Sequence, residues 1–304
     1  MRTALTIALL AATLCARSQD WGQRWIAHPA AEPTEQVWFR HTFLVDELPA
    51  SARVTVASGG LYALFVNGYN VTTDVLEPLP AAAPGRVTVT EYEVARFLRS
   101  DTNVVAVWYS PLSPTRKQLS LSLYAPGRRG RCLAFAADGT WMCRTAGAVT
   151  TPGGAETMAD GDFREDWNRP EASLLDWTHA AEQRGMPPSR MVWQGHLRRA
   201  MRVAVTDTYS YFDDHGSDLV YRFSRPSCGW VRVTLRGMSR GDTLRVGGLT
   251  YICSGRTDEQ ACRRFTTELS ASVLISGPPG FSRDNIMNVE AIGIEPYVRT
   301  GYAY

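Results

Sequence analysis

Apolar and polar residues alternate with a period of two along most of the chain. Trp38-Phe39-Arg40-His41-Thr42-Phe43, Ala52-Arg53-Val54-Thr55-Val56-Ala57 and Tyr62-Ala63-Leu64-Phe65-Val66 are short alternating or β-branched runs bounded by turn residues, a pattern that predicts strands. Asn67-Gly68 follows the third run; both residues accept positive φ cheaply, so a tight hairpin is expected, with Asn70–Val75 as the returning strand. Val104–Tyr109 and Leu119–Tyr124 continue the pattern, and Asp138-Gly139 turns Cys132–Phe135 back on Trp141–Cys143. From Thr151 to Arg190 the periodicity lapses into Gly, Pro, Asp and Trp, as in a segment laid across a sandwich or leading out of it. Strand patterns resume at Met201–Val205, Trp230–Leu235, Thr243–Val246, Val273–Ile275 and Val289–Glu295. Helical potential is confined to Leu174–Gln183 and Tyr92–Leu98, each two or three turns at most. The fold class is therefore all-β: two β-sandwich domains in tandem with few short helices, divided near Met186-Pro187-Pro188 into residues 19–186 and 187–304.

The first residues read differently. Arg2, the apolar run Ala4–Leu14 and Ala16-Arg17-Ser18 form a signal peptide over residues 1–18, with the mature chain beginning at Gln19. Cys15 leaves lipidation open, against which Leu14 is bulky for a lipoprotein signal. No later run approaches the roughly twenty apolar residues that cross a bilayer, so no transmembrane segment is expected. Without Arg2 and Arg17 the basic residues equal the 30 acidic ones, which removes the field that nucleic acid or anionic lipid would require. Export favours oxidised thiols: Cys132 with Cys143, and Cys253 with Cys262, can close two short disulfide loops, leaving Cys228 over. A zinc site is the rival, but there is no C-x-x-C pair and the histidines lie far from the cysteines.

In their order, these motifs resemble the alpha-L-rhamnosidase family of glycoside hydrolases. Trp21, Trp25-Ile26 and Trp38–Phe43 are similar to the family's opening tryptophans and F-R-x-x-F strand, and Tyr62–Gly68 to its Y-x-L-x-V-N-G hairpin. Tyr92-Glu93-Val94, Asn103–Val107 and Asp138–Trp141 resemble its Y-D-V, G-N-x-x-A-V and D-x-x-W segments. Gly161–Arg164, Trp167 and Asp176–Ala180 are similar to its crossing segment. Phe223, Gly229–Val233 and Gly241–Leu244 look like strands of its second sandwich, although Arg222 and Ser224 stand where the family usually has Asp and Gly. Tyr109–Lys117 likewise replaces a glycine-rich aromatic loop. The resemblance implies sandwiches of the jelly-roll or galactose-binding-like kind that precede a catalytic helical toroid in the family, so this chain would supply scaffold without the catalytic machinery.

Candidate chemistry agrees with that implication. Glycoside hydrolysis needs two opposed carboxyl groups on a rigid frame, whereas the acidic clusters here, Asp160, Asp162, Glu165 and Asp166, and Asp213, Asp214 and Asp218, fall in predicted loops. They read as solvated turns and arginine partners; neither has the alternate-residue spacing of a calcium loop. No catalytic residue, metal or cofactor is assigned. Sugar binding has a physical basis in aromatic faces that stack on a pyranose beside hydrogen-bonding groups. Trp108, Tyr109, Arg164, Asp166 and Trp167 stand at predicted strand ends or loops and are the ligand-binding candidates. The leading expectation is an exported bacterial accessory protein, in the periplasm, at the outer-membrane surface or outside the cell, that binds a glycan, such as a rhamnose-containing one. Alternatives are a split or truncated rhamnosidase that needs a partner glycosidase, and a structural assembly module without ligand.

Overall fold

The computed structural model describes residues 24–72, 75–78, 87–112, 119–127, 131–184, 191–195, 201–216 and 218–296. The expected signal at 1–18, Trp21 and the boundary at 186–188 lie outside them. The first half contributes strands β1 (Arg24–Ala27), β2 (Glu35–Leu44), β3 (Arg53–Ser58), β4 (Gly60–Val66), β5 (Tyr69–Asn70), β6 (Val87–Glu93), β7 (Thr102–Pro111), β8 (Leu119–Pro126), β9 (Cys132–Ala136) and β10 (Met142–Thr150). The aperiodic segment adds β11 (Glu156–Ala159), β12 (Thr178–His179) and β13 (Ala181–Arg184), and just after it comes β14 (Met191–Gly195). The second half forms β15 (Met201–His215), β16 (Asp218–Arg236), β17 (Thr243–Val246), β18 (Leu249–Ile252), β19 (Asp258–Ala261), β20 (Glu268–Ser276) and β21 (Ile286–Pro296).

The first sandwich packs a sheet in the order β13-β1-β8-β3-β6-β14, with β9 on β8, against β10-β2-β7-β4-β5. Alternation explains its core: Val54 and Val56 of β3, Leu121 and Leu123 of β8, Val37 and Phe39 of β2, Tyr62, Leu64 and Val66 of β4, and Val105, Val107 and Tyr109 of β7 form one buried cluster. Each such side chain contributes about 1.5–3 kcal/mol by leaving water. The opposite face of β2 and β7 carries Trp38 and Trp108, which stand opposite each other in register. This face would meet solvent in a simple sandwich. Here residues 160–180 cover it, so β2 is buried on both sides from Gln36 to Arg40.

The strand just before that segment joins the two halves. β11 pairs antiparallel with β10 and parallel with β18, so the outer sheet of the first sandwich continues into the second. The second sandwich closes around Leu219, Tyr221, Val231, Val233, Leu235, Leu244, Val246, Tyr251, Val273, Ile275 and Val289. β16 supplies both ends of that cluster because its ladder with β20 shifts register between Arg222 and Ser227, and an irregularity of this kind bends a strand. β14, beyond the expected boundary, pairs in parallel with β6 of the first sandwich.

Two expectations are corrected. Leu174–Gln183 is not helical: Asp176 takes positive φ, 70°, and the residues after it pair with Met142-Cys143 and with β1. Likewise Tyr92 lies within strand β6, which runs to Glu93, and only Ala95–Phe97 makes a single 3-10 turn. Neither expected disulfide is present among the described residues. Cys143 is buried in the first core at the start of β10, whereas Cys132 begins β9 in the facing sheet. Cys253 belongs to the second core, whereas Cys262 lies just past the end of β19 and is only partly buried. Burial pushes the Cys143 and Cys253 thiols up to about 12 and Cys262 to about 11. Among the described residues no helix is long and apolar enough to cross a membrane.

Candidate functional site

A groove of about 850 Å³ opens at one end of the first sandwich, between the β4–β5 hairpin, the Ala95–Phe97 turn and the covering segment. The hairpin turns where the sequence predicts, with Asn67 at φ 51° and Gly68 at φ 86°. This is the primed-turn geometry that suits the twist of paired strands. Asn67 is also the clamp. Its Nδ2 donates to Phe97 O at 2.9 Å and Asn103 Oδ1 at 2.7 Å, and its Oδ1 accepts from Val104 N at 2.9 Å. Asn103 in turn accepts from Arg99 N at 2.9 Å and donates to Arg99 O at 2.8 Å. These bonds hold the 3-10 turn against the hairpin, which sets Tyr69 beside Phe97 with ring centroids 6.0 Å apart. Tyr69 is 63% exposed.

The charged groups of the groove come from both sides. The Arg96 guanidinium lies over the Phe97 ring at 4.6 Å, and Arg99 pairs with Glu171 at 3.5 Å. Asp166, Arg169 and Glu171 line the opposite wall. Gly68 lets Arg169 lie over the turn, since a Cβ there would be 3.2 Å from Arg169 Cγ. Below this wall Arg40 is 1% exposed. Its Nη2 donates to Arg169 O at 2.9 Å, while Nε and Nη1 are buried without hydrogen-bond partners among the described residues. Burial depresses the Arg40 pKa, opposed by the carboxylates of Asp166 and Glu171.

The residues singled out from sequence divide around this groove. Asp166 lines it. Trp167, 2% exposed, lies underneath and stacks on Trp38 at 5.0 Å and 10°. Trp108, 1% exposed, packs edge-on to Trp38 and Trp167, under the Arg264 guanidinium at 4.2 Å. Tyr109 is in the first core, edge-on to Phe39. Arg164 pairs with Asp176 at 2.7 Å, away from the groove lining. In this structure protein groups therefore occupy the ring surroundings of Trp108 and Trp167. Of the acidic clusters, Glu165 pairs with Arg256 at 2.8 Å and Asp213 with Arg222 at 3.4 Å. Among the described residues no group of three or more His, Cys, Asp or Glu is placed to hold a metal ion.

Residues 47–111, which include the hairpin, the clamp and the 3-10 turn, match the family model of the alpha-L-rhamnosidase N-terminal domain. Over that segment the chain is similar to an alpha-L-rhamnosidase N-terminal domain. A curated alpha-L-rhamnosidase from Formosa agariphila is 22% identical over 156 residues, 43% of this chain and 17% of that protein. Among solved structures, the alpha-L-rhamnosidase from Dictyoglumus thermophilum superposes with a TM-score of 0.77 at 19% identity over 91% of this chain and 36% of its own. The Aspergillus terreus alpha-L-rhamnosidase gives 0.77 at 18% identity over 92% of this chain and 36% of its own. The Streptomyces avermitilis alpha-L-rhamnosidase complexed with L-rhamnose gives 0.73 at 19%, over 86% and 29%. At these identities the superpositions speak for the fold. The chain spans about a third of the length of the first two solved rhamnosidases. Of the residues at the groove, Tyr69, Phe97, Arg96 and Arg169 were not singled out from the sequence. The signal was an aromatic placed directly after an Asn-Gly turn, where the side chain leaves a hairpin tip.

Proposed function

We propose that this chain is an exported, non-catalytic carbohydrate-binding module for polysaccharide breakdown, with the groove at Tyr69 as its glycan site. The observation that carries this reading is the exposed Tyr69 ring beside Phe97, bordered by guanidinium and carboxylate groups. An aromatic face takes the C–H side of a pyranose while nearby polar groups orient its hydroxyls. The clamp through Asn67 and Asn103 supports it, because a preorganised site loses less entropy on binding. The two carboxylates of the groove face guanidinium groups, not the apolar wall that keeps a glycosidase acid protonated. In this proposal the division into residues 19–186 and 187–304 and the signal at 1–18 are retained. The test is isothermal titration of the folded chain with rhamnose-containing and other plant and algal oligosaccharides, with Tyr69→Ala as control. Binding lost in that variant is expected; heat that persists unchanged places the glycan elsewhere, and no heat with any saccharide defeats the reading.

A second reading is favoured by the superpositions, in which this chain overlays about a third of rhamnosidase length. On that reading the chain is the accessory part of a split or truncated alpha-L-rhamnosidase, whose catalytic toroid is a partner glycosidase. Hydrolysis of a synthetic rhamnoside only when a co-purifying helical protein is present would separate it from a stand-alone binder.

A further inference from the structure

The charges around the Tyr69 groove are unbalanced. Arg96, Arg99 and Arg169 line it with Asp166 and Glu171, and Arg40 lies below, so four guanidinium groups meet two carboxylates. The carboxylates are already engaged: Glu171 pairs with Arg99 at 3.5 Å, and both Asp166 and Glu171 interact with buried Arg40. Arg96 and Arg169 form no ion pair among the described residues. Both are nevertheless held in place, Arg96 by the Phe97 ring and Arg169 through its backbone, whose N–H donates to Asp166 O at 2.8 Å and whose carbonyl accepts from Arg40. Guanidinium groups set beside an exposed aromatic ring match a ligand with an apolar sugar face and an oxyanion at its edge, because the planar fork binds carboxylate or sulfate through two parallel N–H bonds.

We infer that the groove selects a glycan bearing anionic groups, either uronate carboxylates or sulfate esters, over a neutral one. This rests on the groove being the glycan site and adds the chemical class of the ligand. A neutral sugar would leave Arg96 and Arg169 to water, whereas an oxyanion placed between them gains charge-assisted bonds inside a cleft that focuses the field. Buried Arg40 strengthens the bias: it cannot lose its charge near neutral pH, and it offsets the carboxylates that would otherwise repel the ligand. Exposed charges are screened beyond about 8 Å at physiological salt, so the preference is short-range and salt-sensitive.

The experiment is titration calorimetry on the folded chain at low and high salt with four probes: an oligogalacturonide, a sulfated galactan oligosaccharide without uronate, a neutral rhamnose-containing oligosaccharide, and polyglutamate. At low salt at least one acidic sugar is expected to bind about tenfold or more tightly than the neutral one, and the arm that binds identifies the oxyanion. Arg96→Gln and Arg169→Gln, both at exposed positions, each lower the acidic affinity by about tenfold or more and leave the neutral one unchanged. Tyr69→Ala removes both. Equal binding of neutral and acidic sugars, lost in Tyr69→Ala but indifferent to the arginine variants, overturns the charge inference while leaving the glycan site standing. No Tyr69-dependent binding of any sugar overturns the site itself. Polyglutamate bound as tightly as the sugars, and unaffected by Tyr69→Ala, overturns the inference in favour of an acidic polypeptide.

Discussion

The first sandwich carries two aromatic regions that residue type alone would not distinguish. Around Trp38, the rings of Trp108, Phe163, Trp167 and Trp177 pack against one another beneath the covering segment, and Phe265 of the second sandwich reaches the same cluster. At Tyr69 and Phe97 two rings meet at the rim of a groove, and one of them stays exposed. The first group stabilises the junction of the sandwiches; the second keeps a ring open to solvent. The difference lies in what each region is covered by, since both stand among arginines and carboxylates. An aromatic ring is thus accessible only where no other part of the chain has taken its face.

Breaking the buried cluster should have the largest effect. Trp167→Ala is expected to lower unfolding stability by about 3–5 kcal/mol, the usual result of removing a large buried ring, measured by urea denaturation. A loss under 1 kcal/mol would mean that the covering segment is not held by this stack. Next is the link between β11 and the second sandwich. Buried Glu156 accepts from Arg264 N at 2.7 Å and Phe265 N at 2.5 Å, so Glu156→Ala leaves two donors behind and should cost about 2–4 kcal/mol. Burial raises the Glu156 pKa, against its backbone hydrogen bonds and Arg263. The folded state therefore keeps that proton longer than the unfolded chain, and the group's contribution falls as pH rises from the ordinary carboxylate range through its folded value. Compared with Glu156→Gln, the wild-type chain should be relatively most stable at the acid end of that window; denaturation series at several pH values would read a parallel pair of curves as failure.

Smaller effects sharpen the groove side. Asn67→Ala removes the bonds to Phe97 O, Asn103 and Val104 N and should cost about 1–3 kcal/mol. It should also weaken glycan binding, since Tyr69 and Phe97 lose their common anchor. Tyr69→Ala should alter stability by less than about 0.5 kcal/mol, as surface substitutions do, while removing binding. Among the described cysteines, exposed Cys228 should label quickly with a maleimide, whereas Cys143 and Cys253 react only after unfolding. Mass spectrometry showing a Cys253–Cys262 bond in oxidised protein would instead restore the pairing expected from sequence.

Much of the fold was legible along the chain. The period-two runs at Trp38–Phe43, Ala52–Ala57 and Tyr62–Val66 coincide with β2, β3 and β4, and the Asn67-Gly68 turn lies where two positive-φ residues were needed. The site was legible only in part. Asp166 lines the groove, Trp108, Tyr109 and Trp167 are buried, and Tyr69 and Phe97 were not among the residues the sequence pointed to. Leu174–Gln183 misled because its apolar spacing suits a helix in isolation, while β1 and the start of β10 offered it hydrogen bonds that no local pattern records.

Local order, then, was written in the sequence: strand faces alternate because successive side chains point oppositely, and Asn-Gly turns tightly because it tolerates positive φ. Which aromatic stays open, which thiols stand apart and which arginines lack a carboxylate were decided in three dimensions. Those properties depend on segments distant in sequence, above all on residues 160–180, which lie across β2 and β7 and form one wall of the groove. Burial and charge balance are sums over neighbours, and a linear chain does not specify its neighbours until it has folded.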